Sequence, residues 1–83
     1  MQDDVKIELT SNTTGPEFMW WVQMYMTNKR GTKYTAVVTR PNPTIPRYVH
    51  NVANDRYCTM KNAPKWVKKT IEEQLPVIAI MLA

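Results

Sequence analysis

One histidine and one cysteine make the one pairing in this 83-residue chain worth weighing for nucleophilic chemistry. A thiolate beside an imidazolium is an activated nucleophile, so the spacing of His50 and Cys58 matters. If two short strands, Tyr48 to Val52 and Arg56 to Met60, close on a three-residue loop at Ala53 to Asp55, His50 lies opposite Cys58. A two-residue loop pairs His50 with Thr59 instead. No third residue or oxyanion donor can be named for either case, and an ordinary half-buried cysteine beside a surface or hydrogen-bonded histidine is the simpler expectation.

Other chemistries are excluded by composition. One His and one Cys cannot supply the four ligands of a structural zinc site, so no metal is expected. The two glycines, Gly15 and Gly31, cannot build a phosphate-cradling loop or a dinucleotide fingerprint, so no nucleotide cofactor is expected either. Asp3 and Asp4 fall at the terminus, and Glu72 and Glu73 point in different directions around a helix. The chain is therefore expected not to be an enzyme.

Whatever the chain does must then be done by surfaces, and surfaces depend on the elements that carry them. The central element is a long hairpin from Glu17 to Arg40. Phe18, Trp20, Val22, Met24 and Met26 alternate with Met19, Trp21, Gln23, Tyr25 and Thr27, and a second alternating run follows from Lys33. Asn28 and Gly31 sit at the first and fourth positions of a type I turn with a G1 bulge. A loop of Lys29, Arg30 and Gly31 then pairs Met26 with Tyr34, Met24 with Ala36, Val22 with Val38 and Trp20 with Arg40. One face becomes almost wholly apolar. The opposite face pairs Tyr25 with Thr35, Gln23 with Val37 and Trp21 with Thr39, while a one-residue slip would scramble both.

Around the hairpin, Val5, Ile7 and Leu9 alternate with Lys6, Glu8 and Thr10 as a first strand, ended by the turn-forming stretch Ser11 to Pro16. Residues 41–46 hold three prolines and form an extended connector. In the last segment Asn62 is expected to cap a helix, with Pro64 in its first turn. Val67, Ile71, Leu75, Ile78 and Leu82 then make an apolar stripe that should pack on the hairpin. Pro76 predicts a kink or a break. Beyond it the chain is apolar on all sides, which is compatible with a buried tail, a contact surface or a short terminal strand.

The fold expected is a two-layer α+β domain over residues 1–83, with 1–4 frayed: an antiparallel sheet of three to five strands and one C-terminal helix. A domain this small buries only about 60% of its unfolded surface. The lone cysteine cannot form an internal disulfide, no basic-then-apolar leader is seen, and no apolar run reaches the roughly 20 residues that span a bilayer. A cytoplasmic protein without membrane contact is expected. Asn12-Thr13-Thr14 matches a glycosylation sequon, which chance explains in that setting.

Net charge is +4 and the pI is near 9.4, a bias toward anionic partners. Three Trp, four Tyr and six Met are more than one small core should enclose, and these are residues enriched in interface cores. The expected function is thus a small protein-binding module of inhibitor or adaptor type. Its expected contact residues are Trp21, Tyr25, Lys29, Arg30 and Lys33. Val77, Ile80 and Met81 are the expected contacts of a homodimer. The alternative is nucleic-acid binding, with the basic hairpin tip on phosphates and the aromatic outer face stacking bases. The compact, methionine-rich, motif-poor character resembles small proteins of phages and other mobile elements, a likeness of style that no motif carries and that leans toward a binder of another macromolecule.

Overall fold

A computed structural model describes residues 4–12, 21–39 and 45–81. It contains five strands, β1 (Lys6–Asn12), β2 (Trp21–Thr27), β3 (Lys33–Thr39), β4 (Tyr48–Asn51) and β5 (Arg56–Thr59), then a short 3-10 turn (Met60–Asn62) and one helix, α1 (Lys65–Met81). The strands follow one another in the order β1-β2-β3-β4-β5, every neighbouring pair antiparallel. The helix covers one face of this meander, which is the two-layer α+β architecture expected.

The hairpin register is the one that the turn chemistry dictates. Met26 pairs with Tyr34, Met24 with Ala36 and Val22 with Val38. Gly31 takes φ +85°, the left-handed conformation that a G1 bulge requires. Asn28 Oδ1 accepts hydrogen bonds from the Arg30 and Thr32 amides at 3.0 and 2.9 Å. The Gly31 amide donates to the Asn28 carbonyl at 3.0 Å, which closes the turn. Trp20 paired with Arg40, and Phe18 beside them, lie outside the described residues, as does most of the connector.

The core forms where the apolar face of the hairpin meets the helix. Val22, Met24, Met26, Ala36 and Val38 from β2 and β3 are buried with Val49 of β4 and with Val67, Ile71 and Ile78 of α1. Ile7 and Leu9 of the edge strand, with Leu75, pack against them half-buried. Tyr34 is buried too. Its ring meets Trp66 edge-on at 5.8 Å, and its hydroxyl accepts a hydrogen bond from Asn51 Nδ2 at 3.1 Å, so its polar end is satisfied.

Three expectations change. Asn62 does not cap the helix. It ends the 3-10 turn, which the Ala63 amide closes on the Met60 carbonyl, and Ala63 is extended (φ −69°, ψ 153°). A residue before proline is pushed out of the helical region, so the helix must wait for Pro64. The Pro64 carbonyl then accepts the first bonds, from the Val67 and Lys68 amides. Second, Pro76 does not break the helix, which runs on to Met81. Ile78, fully buried two residues beyond it, holds that last segment on the sheet. Third, the tail is neither all buried nor a strand, since Val77 and Ile80 face outward.

The β4–β5 connection differs from both loops considered. Asn51 pairs with Arg56, His50 with Tyr57 and Val49 with Cys58, leaving a four-residue turn, residues 52–55. The Val52 amide donates to the Lys33 carbonyl, which ties that residue to β3 rather than to β5. Asn51 Oδ1 accepts from the Ala53 amide and Asn54 Oδ1 from the Arg56 amide, and Asp55 adopts φ +51°. These side-chain bonds to the backbone make the longer turn locally satisfied.

Candidate functional site

The face of the sheet turned away from the helix is where the remaining chemistry collects. Strand registers align its side chains in rows that cross the sheet. Glu8, Tyr25, Thr35, His50 and Tyr57 form one row over all five strands. Lys6, Thr27 and Lys33 form the row nearer the hairpin tip, and Thr10, Gln23 and Val37 the row on the other side. With strands about 4.8 Å apart, Tyr25 stands roughly 10 Å from His50 and roughly 14 Å from Tyr57.

Of the residues singled out from sequence, Tyr25 and Lys33 come together. They share a hollow of about 300 Å³ with Lys6, Glu8 and Thr27. Lys6 and Glu8 are 3.7 Å apart, an exposed pair of little energetic weight. Lys29 and Arg30 are exposed at the hairpin tip, beyond the lysine row. Trp21 lies at the other end of β2, half-buried, four residues and so roughly 13 Å from Tyr25. The five residues therefore run the length of the hairpin rather than forming one cluster. In the tail, Ile80 is 78% exposed and Val77 44%, whereas Met81 packs partly against the core.

Three residues that composition alone could not place complete the face. Tyr48 is 57% exposed, Tyr57 is 73% exposed, and His50 sits beneath Tyr57 with ring centroids 4.8 Å apart. Asp55 Oδ1 accepts a hydrogen bond from His50 Nε2 at 2.7 Å, which holds the ring in place. The signal that could have found them is the period-2 alternation of β4 and β5. It became usable only with the correct turn length.

The same register separates His50 from Cys58. His50 pairs with Tyr57 on the outer face, while Cys58 pairs with buried Val49 and packs against the core. The two side chains stand on opposite faces of the sheet, so a thiolate–imidazolium pair does not form. Among the described residues no three His, Cys, Asp or Glu side chains converge as metal ligands, and no helix is long and apolar enough to cross a membrane.

Between β3 and the segment 45–48 a groove of about 470 Å³ opens on the outer face. Thr35, Val37 and Thr39 form one wall, Ile45, Pro46, Arg47 and Tyr48 the other, and His50 and Tyr57 stand at its end. Its size is that of a site for a small ligand or for a few side chains of a partner. No family model, curated protein or solved structure matches this chain, so its function is read from this surface alone.

Proposed function

We propose that the chain is a non-enzymatic protein-binding module of inhibitor or adaptor type whose contact surface is the outer face of the sheet. One observation carries this reading: Tyr25, Tyr48 and Tyr57, three of the four tyrosines, are exposed on or beside that face, while only Tyr34 serves the core. Among the described residues the methionines do not share this behaviour, since Met24 and Met26 are buried and Met60 and Met81 pack partly on the core. Tyrosine offers a large amphipathic contact at low entropic cost and is enriched at interface hot spots. The face also has the layout of an interface. Gln23, Thr35 and exposed Val37 make a neutral centre, and Lys6, Lys33, Lys29 and Arg30 lie at one rim.

The cations beside Tyr25 support a second reading, nucleic-acid binding, in which a backbone tracks the hairpin tip and a base stacks on the ring. An uncharged centre favours the protein reading, because a sheet that holds a phosphate backbone needs cations interleaved with its rings. Photo-crosslinking residues at positions 25 and 57, with position 72 on the outer side of the helix as control, test the first reading in cell extract. Protein adducts are expected from 25 and 57 and not from 72. Equal adducts from all three positions would sink it. Titration with random single-stranded DNA and RNA across an ionic-strength series tests the second, where affinity falling steeply with salt is its signature.

A further inference from the structure

The outer face is charged at the end nearest the hairpin tip. Lys6, Thr27 and Lys33 sit side by side on β1, β2 and β3, so Thr27 stands between two lysines whose backbones are about 10 Å apart. In the next row Glu8 and Tyr25 are directly opposite each other. These five residues line the hollow of about 300 Å³. Each lysine side chain is long enough to reach the midpoint of that gap, where the Thr27 hydroxyl offers a further donor. Lys29 and Arg30 carry the positive charge onward, onto the exposed turn.

The lining sets two ammonium groups against one carboxylate, a balance of one positive charge. Glu8 lies 3.7 Å from Lys6 and draws on one of the two cations. What is left matches a single negative group set between Lys6 and Lys33, since a carboxylate can accept from both at once. Glu8 also decides what carries that group. A nucleic acid stacking a base on Tyr25 brings a phosphate with every nucleotide, and Glu8 stands directly across from that ring. A peptide can instead place one carboxylate over the lysines and an apolar side chain on Tyr25, whose ring is exposed.

Resting on the reading of the outer face as a protein-binding surface, we propose that this hollow takes an acidic segment of the partner protein, with one Asp or Glu carboxylate held between Lys6 and Lys33 and a neighbouring apolar side chain laid on Tyr25. Acids further along the segment meet Lys29 and Arg30 at the turn. Asn28 and Gly31 fix the backbone of that turn, so its cations are presented with little ordering left to do on binding. Charge matching of this kind selects the partner and speeds its encounter.

A displayed library of random 12-residue peptides, selected on the full chain, tests this directly. Selected peptides should be rich in Asp and Glu beside an apolar residue, and should shift the amide resonances of Thr27 and Lys33. Lys33→Glu should weaken them by about tenfold or more, the scale of a charge-assisted hydrogen bond, and a peptide with Lys in place of its acid should recover binding to that variant. Glu8→Gln should strengthen them severalfold, a gain that a merely structural role for the row does not give. Both positions are exposed, and thermal melts confirm that the variants fold. Asp3→Asn with Asp4→Asn should leave binding unchanged. A gain equal to that of Glu8→Gln would mean that the lysines already hold the chain's own acids, and would overturn the proposal. Peptides without acidic enrichment, peptides indifferent to Lys33→Glu, or displacement of the peptides by equimolar random single-stranded DNA would overturn it too. If positions 25 and 57 crosslink a partner whose binding Lys33→Glu and Glu8→Gln leave unchanged, the acidic-segment proposal fails while the outer-face reading stands.

Discussion

Replacing Gly31 by Ala isolates the turn that sets the hairpin, and its cost can be worked from the structure. Gly31 has φ +85°, and a Cβ built there meets nothing within 4 Å. No clash contributes, so the cost is conformational. The left-handed region is unfavourable by about 1–2 kcal/mol for a residue with a Cβ. Alanine also restricts the unfolded chain, which offsets about 0.4–1 kcal/mol of that. The net loss expected is about 1 kcal/mol, and for a domain of this size each kcal/mol lowers Tm by roughly 4–8 °C. Gly31→Asn should lose less, since asparagine tolerates this conformation. Asn28→Ala removes the acceptor of the Arg30 and Thr32 amides, about 0.5–1.5 kcal/mol per bond and at the low end for the exposed one. Because both residues act on one turn, the double variant should lose less than the sum. Urea and thermal unfolding followed by tryptophan fluorescence and circular dichroism measure all four. Gly31→Ala as stable as the parent would refute the G1 bulge, and with it the register that puts Tyr25 and Lys33 on the outer face. Equal losses of about 3 kcal/mol or more for Ala and Asn would point instead to a steric requirement.

Other outcomes test other parts of the molecule. Ile71→Ala, at a fully buried position on the inner face of the helix, should cost about 2–5 kcal/mol in urea unfolding; a loss below 1 kcal/mol would mean that the helix is not docked as described. His50→Cys combined with Tyr57→Cys and Cys58→Ser should oxidise to a cross-strand disulfide, whereas His50→Cys with the native Cys58 should not; peptide mapping under non-reducing conditions decides the β4–β5 register. Tyr57→Ala should change stability by less than about 1 kcal/mol because the ring is 73% exposed, which makes it a usable variant for partner binding. Ile80→Lys should leave folding unchanged and abolish any dimer seen by sedimentation of the parent chain. A parent mass that stays monomeric with rising concentration would exclude the tail as a self-contact.

Local rules settled much of this protein from sequence. Alternation from Val22 to Thr27 and from Lys33 to Thr39, with Asn28 and Gly31 between them, determines a hairpin register because a one-residue slip would turn every buried methionine to solvent. The stripe Val67, Ile71 and Ile78 likewise determines which side of the helix is buried. Tertiary structure alone decided the rest. Whether Val52 belongs to the β4–β5 turn or to the ladder with β3 depends on a hydrogen bond to Lys33, nineteen positions away, and that bond sets which residue faces His50. Pro76 costs a helix hydrogen bond, and the sequence does not show that burial of Ile78 outweighs the loss. The groove is the clearest case. It exists because β3 outlasts its pairing with β4, and where a strand's partner departs is a property of two segments packed together, not of either one read by itself.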